Sequence, residues 1–453
     1  MLHKNQGALL FHELIERVAN ERPNKTALMY MGRRLTYRGL VDRFNIFASA
    51  LVRLGVRPGD KIGVYLPNTP QSLIAFYGIS RAGGTVVLLS AIYSTGELSY
   101  ILRENRIKTV ICTDINIGNI IRVKEEVEIE NIIVTKLDDE LPMIKRMIAR
   151  GFVRVPTGHV PRDAKVHTYR KLMKNKDVGV SRIAGNWKQD VLFIIYTGGT
   201  TGTPKGVPHT HYETISSFNS FDEFYSLYFK DLRKGEEIWA GYQPFYHLAG
   251  LIFFNQPMVR AETLVIFPYP DIDAILTELA RRKITCLAGA PAFFTAVLGH
   301  IRLDQYLPGL RAVKYFFSGA DALPEGVFKR WKDHVGKELL QTWGASEMFI
   351  ATHNVPKKPG LSLGDPLPNY EVAIMDLGEK RFLKEGEIGE LVVKGPALFK
   401  EYVQKPEETK ESLVEVHGNV WYRSGDVGRF QNGEYYFEER KREIIKYKGY
   451  NIG

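Results

Sequence analysis

The sequence predicts an α/β protein with two doubly wound βαβ subdomains followed by a small β-barrel. At 453 residues the chain is too long for a single hydrophobic core. Strand and helix patterns alternate as far as about residue 350, which is typical of parallel sheets covered by helices. From about Pro356, short strands alternate with Gly and Pro turns instead, as in a small barrel. We place the α/β subdomains at about 1–190 and 191–350, and the barrel at about 351–438.

The first subdomain is predicted from buried strand runs and two helices between them. The strand runs are KIGVYL (61–66), GTVVLLS (84–90), TVICTD (109–114) and NIIVTK (131–136). The helices are predicted at Pro70–Gly83 and Ser94–Glu104. Ser94 and Glu97 have the spacing of a capping box, which favours a helix start at this point.

The second subdomain repeats this order, and the barrel follows it. Its strands and helices are predicted at VLFIIY (191–196), TLVIF (263–267), Asp271–Arg282, ITCLAG (284–289), a helix from Pro291, and VKYFFSG (313–319). The barrel strands are predicted at EVAIMD, GELVVKG and EYYFEE. No internal repeat of fixed period is evident.

The composition is that of a globular protein, with 44% hydrophobic and 25% charged residues. No apolar run reaches the roughly 18 residues that a membrane helix needs. The N-terminal sequence predicts an amphipathic helix rather than a signal peptide. Cys112 and Cys286 lie in apolar strand runs, which predicts two buried free thiols and favours a cytoplasmic location.

The net charge of +10 is concentrated in residues 141–182, which hold eleven Lys or Arg and two Asp, a balance of +9. Leu141–Val155 mixes basic and apolar residues at near-helical spacing. A solvated basic surface is the favoured interpretation. Peripheral contact with an anionic membrane is the alternative that we keep. Nucleic acid would be a further partner for such charge, but none is expected here.

The most informative segment is YTGGTTGTPKGV, Tyr196–Val207. A buried strand run leads into glycines that let the backbone approach a polyphosphate, hydroxyls that can donate to its oxygens, and a mobile positive charge on Lys205. A Walker A loop requires Ser or Thr after its Lys. Here Gly206 follows Lys205, which excludes the ordinary P-loop NTPase interpretation.

This segment resembles the signature loop of the adenylate-forming superfamily, which contains acyl-CoA synthetases, firefly-luciferase-like enzymes and peptide-synthetase adenylation domains. The TGGTTG spelling is most similar to the fatty-acid–CoA ligases. The resemblance implies ATP binding by the loop and a role for Thr200 in catalysis and at the metal. The loop residues implied are Thr197, Gly198, Gly199, Thr200, Thr201, Gly202 and Lys205.

Segment QPFYHLAG, Gln243–Gly250, resembles the family's PFFH-type segment. The resemblance implies an acyl pocket with Tyr242, His247 and Gly289, in which His247 also has a catalytic role. Peptide-synthetase domains carry an Asp at the start of this segment to hold an amino group. The absence of an acid here argues against amino-acid substrates.

Two further segments resemble the family's adenine and phosphate motifs: FFSGADALP, with Ser318, Gly319 and Ala320, and QTWGASEM, Gln341–Met348. Trp343 replaces the usual Tyr, and its indole is expected to stack on adenine. Ser346 replaces the usual Thr and keeps a hydroxyl for the α-phosphate. Glu347 is the implied Mg²⁺ ligand. The nucleotide-binding residues implied in QTWGASEM are Gln341, Thr342, Trp343, Gly344 and Ser346.

Near the end of the chain, YRSGD resembles the ribose-binding motif, which implies that Asp426 holds the two ribose hydroxyls. ERKREIIKYKGYNIG resembles the family's hinge at 439–453, with Arg440 reaching ribose or phosphate and a pivot near Arg442. Lys446 and Gly449 belong to the implied loop for the coenzyme A step. The motifs cover most of the chain in the family's order.

The last residues, KYKGYNIG, end midway through a strand-and-turn pattern, so we expect a further domain to follow them. In the family a C-terminal domain supplies a lysine for adenylation. The chain alone is therefore expected to bind ATP but to adenylate poorly.

The resemblance implies activation of a carboxylic acid by ATP to acyl-AMP, followed by acyl-CoA formation, with ATP, Mg²⁺ and coenzyme A taking part. A medium- or long-chain fatty acid is the favoured substrate. The alternatives are an aryl-acid (coumarate-type) CoA ligase, a CoA-independent acyl-AMP ligase, and a non-catalytic adenylate-binding module. A homodimer is a further expectation. The sequence does not determine the chain length of the acid.

Overall fold

A computed structural model describes residues 9–148, 156–163, 165–175, 185–197, 203–440, 445–447 and 450–452. The chain divides into two compact units. The first unit holds the described residues up to Thr214 together with Lys234–Asp271. The second unit holds Ile215–Arg233 and the described residues from Ile272 onward.

The helices are numbered in chain order. They are α1 Phe11–Glu21, α2 Tyr37–Arg53, α3 Pro70–Arg81, α4 Thr95–Glu104, α5 Ile117–Val123, α6 Met143–Ile148, α7 Tyr169–Leu172, α8 His211–Tyr228, α9 Leu248–Val259, α10 Ile272–Arg282, α11 Pro291–Leu298, α12 Leu303–Ala312, α13 Glu325–Val335 and α14 Pro406–Ser412.

The strands are numbered in the same way. They are β1 Thr26–Tyr30, β2 Arg33–Thr36, β3 Lys61–Tyr65, β4 Thr85–Leu88, β5 Thr109–Thr113, β6 Asn131–Thr135, β7 Val166–Thr168, β8 Val191–Thr197, β9 Lys205–Thr210, β10 Ile238–Gly241, β11 Thr263–Ile266, β12 Cys286–Gly289, β13 Tyr315–Ser318, β14 Leu339–Ala345, β15 Phe349–His353, β16 Asp365–Pro366, β17 Glu371–Met375, β18 Ile388–Lys394, β19 Leu413–Val416, β20 Asn419–Gln431, β21 Glu434–Arg440, β22 Ile445–Tyr447 and β23 Tyr450–Ile452.

The first unit contains a seven-stranded sheet in the order β7-β6-β5-β3-β4-β8-β9. Its strands run parallel except β9, which is antiparallel to β8. Strands β4 and β5 are buried along their whole length, as expected for β-branched runs covered on both faces. Beside this sheet, β10, β11 and β1 run parallel to one another, and β2 pairs antiparallel with β1. β8, predicted to open the second subdomain, lies in the same sheet as β4 of the first. The subdomain boundary at about residue 190 stays a prediction.

The second unit contains the parallel strands β12, β13 and β14, followed by antiparallel β15 and β16. Helices α11 and α13 cover this sheet through Phe294, Phe316 and Trp331, whose rings meet at centroid distances of 4.9–6.3 Å. After Pro356 a five-stranded antiparallel sheet forms in the order β17-β18-β20-β19, with β21 paired to β20. The predicted α/β class with an antiparallel module at its end is confirmed.

Local signals located several elements well. Ser94 caps α4, with its hydroxyl accepting from the Glu97 amide, and Glu97 bonds back to the Ser94 amide at 2.8 Å, which completes the predicted capping box. Helix α3 begins at Pro70. Proline has no backbone N–H, but an N–H in the first turn of a helix has no partner within the helix, so no hydrogen bond is lost. Both cysteines are buried and free, as predicted. None of the described helices is long and apolar enough to cross a membrane.

Part of the predicted basic stretch is paired within the first unit. Arg146 is buried, and its guanidinium donates to the carbonyl oxygens of Asp138, Asp139 and Leu141 at 2.9–3.2 Å. Arg170 lies 4.0 Å from the Asp139 carboxylate. The charge of Arg146 is therefore not free for a surface partner, whereas Arg170 is 55% exposed. The rest of the stretch lies partly outside the described residues.

One histidine makes the stability of the first unit depend on pH. The buried Nδ1 atom of His211 accepts a hydrogen bond of 2.9 Å from the Phe11 amide at the start of α1, so the imidazole must be neutral there. Burial lowers the pKa of His211 to about 3. Below about pH 6.5 the His211 imidazole is protonated in the unfolded chain but stays neutral in the folded chain. Acid therefore reduces the free energy of unfolding.

We expect His211→Gln, which keeps an acceptor but does not titrate, to lose less stability than the wild type between pH 6.5 and 5.5. The difference should be about 1 kcal/mol, because the histidine of the unfolded chain is already half protonated at pH 6.5 and almost fully protonated at pH 5.5. Unfolding monitored by tryptophan fluorescence at both pH values measures it. His334→Gln, at an exposed histidine, serves as the control and should behave as the wild type. Equal pH dependence of His211→Gln and the wild type would contradict this prediction.

Candidate active site

The phosphate-loop prediction falls on a hairpin of the first unit. Thr197 ends β8 and Lys205 begins β9, and the two residues are partners in the antiparallel register. The connecting residues Gly198, Gly199, Thr200, Thr201 and Gly202 lie outside the described residues. The loop that the sequence predicts is therefore held at both ends by paired strands.

The residue before the loop is fixed by a polar network with the end of α4. The Tyr196 hydroxyl donates to a Glu104 carboxylate oxygen and accepts from Asn105 Nδ2 at 2.5 Å. Tyr100 donates to the other Glu104 oxygen at 2.5 Å. Since Tyr196 is buried, the carboxylate beside it satisfies a hydroxyl that would otherwise lack a partner. The network holds the carboxyl end of β8 in place.

His247 and Tyr242 also belong to the first unit, after the end of β10. Tyr242 is buried, whereas His247 is exposed. His247 flanks the first residue of α9, and its amide donates to the Pro244 carbonyl at 2.9 Å. Desolvation by nearby groups lowers the pKa of His247, so the imidazole is neutral at pH 7. A neutral imidazole can both donate and accept a hydrogen bond.

In the second unit, the predicted adenine turn follows β13. Ser318 is buried and pairs in register with Gly289 at the end of β12. Ala320 has φ +72°, a left-handed conformation that is uncommon for a residue with a side chain. Thr342 Oγ1 lies 3.4 Å from the Ser318 carbonyl, and Gln341 Nε2 donates to the Ser362 carbonyl at 3.0 Å. These contacts bring the two predicted nucleotide segments together.

Trp343, Asp426 and Arg440 form a connected group in the second unit. The Trp343 indole N–H donates to Asp426 Oδ2 at 2.7 Å. Arg440 Nη1 lies 2.5 Å from Asp426 Oδ1, and the two residues are register partners on β20 and β21. Burial raises the pKa of Asp426, and Arg440 and the Trp343 hydrogen bond oppose that rise. Residues from three predicted motifs thus converge on one carboxylate.

Glu347, the predicted metal ligand, is buried and held by tyrosine. The Tyr402 hydroxyl donates to Glu347 Oε1 at 2.7 Å, and the Ser412 hydroxyl lies 3.3 Å from the Tyr402 oxygen. Burial, with the Glu347 charge beside it, raises the pKa of Tyr402, so the phenol stays protonated and remains a donor. Burial, with the Glu347 charge nearby, also raises the pKa of the Tyr422 phenol.

The backbone on both sides of Glu347 is unusual, with a close approach at Gly344 and a positive φ at Phe349. Gly344 lies so close to the returning strand that a Cβ there would lie 2.1 Å from the Phe349 carbonyl oxygen. Phe349 itself has φ +59°, which is an outlier for a bulky aromatic residue, and it is fully buried. Strain of this kind persists where the surroundings fix it, often at functional sites.

The YRSGD segment is anchored by an acid that no motif predicted. Arg423 Nε and Nη2 both reach Glu390 Oε2, at 3.0 and 2.6 Å, and Glu390 Oε1 accepts from the Gly425 amide at 3.2 Å. Gly425 has φ +73°, a conformation that glycine adopts without strain. Ser424 donates to the Leu391 carbonyl at 2.6 Å and accepts from the Asp426 amide at 3.0 Å. The backbone of Asp426 is thereby fixed.

The chemistry around Glu347 suits Mg²⁺ shared with a nucleotide. A carboxylate has about four lone-pair sites, so the hydrogen bond from Tyr402 leaves room for a cation. Among the described residues, no group of three or more His, Cys, Asp or Glu side chains could hold a metal by itself. Mg²⁺ is commonly held by one or two carboxylates together with substrate phosphates and water. Glu347 fits that pattern.

Tyr402, Glu390 and Arg423 were not predicted as site residues. Tyr402 lies 55 positions from Glu347, and Glu390 lies 35 positions from Gly425, so neither contact has a local pattern. Arg423 stands inside YRSGD, so its place in the motif was the available signal. The implied residues for the coenzyme A step are not tested. Gly449 and the Lys446 side chain lie outside the described residues, as does the pivot residue Arg442. The roles of all predicted site residues stay predictions.

Comparison with known proteins agrees with the motifs. The family model described as AMP-binding enzyme matches residues 15–403. A long-chain-fatty-acid–CoA ligase of Bacillus subtilis is 32% identical over 439 residues, covering 95% of this chain and 76% of that protein. A long-chain-fatty-acid–CoA ligase of Salmonella typhimurium is 28% identical over 458 residues, covering 97% and 78%.

Solved structures show the same fold. An anthranilate CoA ligase in complex with anthranoyl-AMP superposes with a TM-score of 0.84 at 23% identity, covering all of this chain and 82% of that one. A long-chain-fatty-acid–CoA ligase from Archaeoglobus fulgidus gives a TM-score of 0.81 at 22% identity, covering 96% and 84%. The relatives thus include both fatty-acid and aryl-acid ligases.

Gly344→Ala tests the turn that carries Glu347. The added Cβ would overlap backbone atoms of Phe349 and Ile350, which cannot rotate away. We expect a loss of roughly 1–3 kcal/mol in the free energy of unfolding, the usual cost of overpacking. Chemical denaturation measures it. Gly326→Ala is the matched control, because a Cβ there meets nothing within 4 Å. Equal stability of the two variants would refute the close approach.

Proposed function

Because the chain belongs to the AMP-binding enzyme family, we propose that it is an ATP-dependent acid–CoA ligase acting on a medium- or long-chain fatty acid. Enzymes of this family use ATP, Mg²⁺ and coenzyme A. The observation that carries the proposal is the convergence of Trp343 and Arg440 on the buried carboxylate of Asp426, together with a separately held Glu347 in the same unit. A binding site for a nucleoside with a charged phosphate tail needs both features.

Asp426 is suited to a ribose. Its Oδ1 atom is buried and contacts Arg440, yet no hydrogen bond aligned on this oxygen is found among the described residues. A buried acceptor of this kind gains free energy when a donor reaches it. A ribose hydroxyl would supply that donor. Arg440 is more than half exposed and can therefore turn toward a phosphate oxygen.

The proposed reaction has two steps. A carboxylate oxygen of the acid attacks the α-phosphorus of ATP, and the bond to the bridging oxygen of pyrophosphate breaks. The coenzyme A sulfur then attacks the acyl carbon, loses its proton, and displaces AMP. Mg²⁺ would neutralise the phosphate charge. The residues of the chain bind and align the reactants, which is the main contribution that proteins make to such transfers.

Each proposed role rests on a particular position. Lys205, at the base of the β8–β9 hairpin, brings positive charge to the phosphates. Ser346, half-buried beside Glu347, has a hydroxyl for the α-phosphate. Trp343 covers the nucleoside while its N–H holds Asp426. His247 and Tyr242 are proposed for the acid side.

A fatty acid is favoured over an aryl acid because the curated relatives at 28–32% identity carry that name. The structural neighbours include an anthranilate ligase, so the aryl-acid alternative keeps specific support. We do not extend the proposal to a membrane partner or to a homodimer. Arg146 and Arg170, two of the basic residues that suggested a membrane, already contact acidic residues or their carbonyls.

The substrate is tested by release of AMP with ATP, Mg²⁺, coenzyme A and single acids: octanoate, dodecanoate, hexadecanoate, benzoate and coumarate. We expect turnover to be at least tenfold higher with dodecanoate or hexadecanoate than with either aromatic acid. The reverse order would favour the aryl-acid ligase. Thioester formed only on a carrier protein and never on coenzyme A would favour the CoA-independent ligase. No AMP release with any acid, by a full-length protein that binds ATP, would favour the non-catalytic module.

Asp426→Asn tests the nucleoside site directly. The amide loses the negative charge beside Arg440 and one of the two acceptor oxygens, so we expect ATP to bind at least tenfold more weakly, a loss of about 1.4 kcal/mol or more. Isothermal titration with ATP and Mg²⁺ measures the change. Asp304→Asn, at an exposed acid on α12, is the control. Unchanged ATP affinity in Asp426→Asn would remove Asp426 from the site.

A further inference from the structure

One side chain outside every predicted motif holds the acid-side segment of the first unit. Asn68 lies in the turn between β3 and α3 and is only 4% exposed. Its Nδ2 atom donates to the carbonyl oxygens of Tyr242, Gln243 and Phe267 at 3.0, 2.9 and 3.3 Å. Its Oδ1 atom accepts from the Phe245 amide at 2.9 Å. Both ends of one amide group thus bind the backbone of the Tyr242–Phe245 segment, and Nδ2 also reaches Phe267.

Asn68 is itself rigidly mounted. The Ser72 hydroxyl donates to the Pro67 carbonyl at 2.7 Å and lies 3.2 Å from Thr69 Oγ1. Pro70 fixes the first turn of α3. A side chain on so constrained a turn loses little conformational entropy when it forms its bonds. It can therefore determine the position of what it holds.

The groups that Asn68 holds lie at the carboxyl ends of two strands. Tyr242 and Gln243 follow β10, and Phe267 follows β11, where its amide donates to the Gly241 carbonyl at 2.9 Å. Ligands bind beyond the carboxyl ends of strands in open α/β sheets. Asn68 lies just beyond the carboxyl end of β3. It therefore links the ends of strands from both sheets of the first unit.

The held segment leads directly to His247. The Phe245 ring packs against Phe76 and Phe254 at centroid distances of 5.7 and 5.3 Å, which holds the segment in addition to the Asn68 bonds. Two residues later, the His247 amide closes a turn on the Pro244 carbonyl. Displacement of the backbone at Phe245 would thus be passed on to His247 and Tyr242.

We propose that Asn68 is a positioning residue for the carboxylic acid, acting through the backbone of Tyr242–His247. The inference rests on the proposed function, since Tyr242 and His247 are placed at the acid there. Asn68 does not touch the acid. Its amide sets the location of the segment that does, and the hairpin proposed for the phosphates contains none of the groups to which it is bonded.

Asn68→Ala separates these roles by two binding measurements on the full chain. Removing the amide leaves buried carbonyls and an amide without these partners, so the segment relaxes. We expect the Kd for dodecanoate, measured with ATP and Mg²⁺ present, to rise at least fivefold, while the Kd for ATP changes less than twofold. Hydrogen exchange at the Phe245 amide should become at least tenfold faster. Asn131→Ala is the matched control, because Asn131 bonds to Leu54, Thr109 and His167 and to none of the Tyr242–His247 residues.

Equal rises in both dissociation constants, or none, would overturn the proposal, as would unchanged exchange at Phe245. If the alanine variant does not fold, Asn68→Ser, which keeps a single donor, replaces it under the same criteria. A wild type that binds ATP but none of the acids contradicts the proposed function itself, and the inference with it. If Asn68→Ala binds dodecanoate as tightly as the wild type does, only the inference about Asn68 is contradicted.

Discussion

The buried carboxylate of Asp426 is the constraint on which the arrangement of the second unit depends. A buried charge is costly unless it is paired and hydrogen-bonded. Trp343 and Arg440 supply those partners from β14 and β21, so the two sheets must approach at this point. An indole N–H and a guanidinium can only donate hydrogen bonds, so neither group competes with the carboxylate as an acceptor. A phenol at position 343 would also accept, and it would define the contact less strictly.

Around this carboxylate the backbone is held by groups that contribute no chemistry of their own. Glu390 fixes the Arg423–Gly425 turn, Tyr402 holds Glu347, and the positive φ of Phe349 is maintained by complete burial of its ring. Preorganised groups of this kind bind a ligand without first having to reorganise, and so they reduce the cost of association. Two residues with positive φ, Ala320 and Phe349, lie in or beside the predicted nucleotide segments.

The sequence predicted the fold well because its strands are short apolar, β-branched runs between clear turns. Runs such as TVICTD and NIIVTK became fully or almost fully buried strands, and Ser94 capped its helix as expected. It predicted the site residues as a series of motifs but not their partners. Trp343 was expected to use its ring face, and its N–H bond to a residue 83 positions away has no local pattern. Asn68 shows the same limit, since its partners lie 174–199 positions along the chain.

At Asp426, the residue that would best stabilise the fold differs from the residue that a ligand would need. Replacing buried ionic groups by well-packed apolar residues is often neutral or stabilising, because the cost of desolvating the charges disappears. Burial raises the pKa of Asp426, which shows that its charged form is already disfavoured by the surroundings. A carboxylate that serves only the fold would be replaceable at no loss. The presence of this carboxylate, with one oxygen that lacks a hydrogen bond among the described residues, is understandable if a donor from a ligand binds that oxygen, and a ribose hydroxyl has the required chemistry.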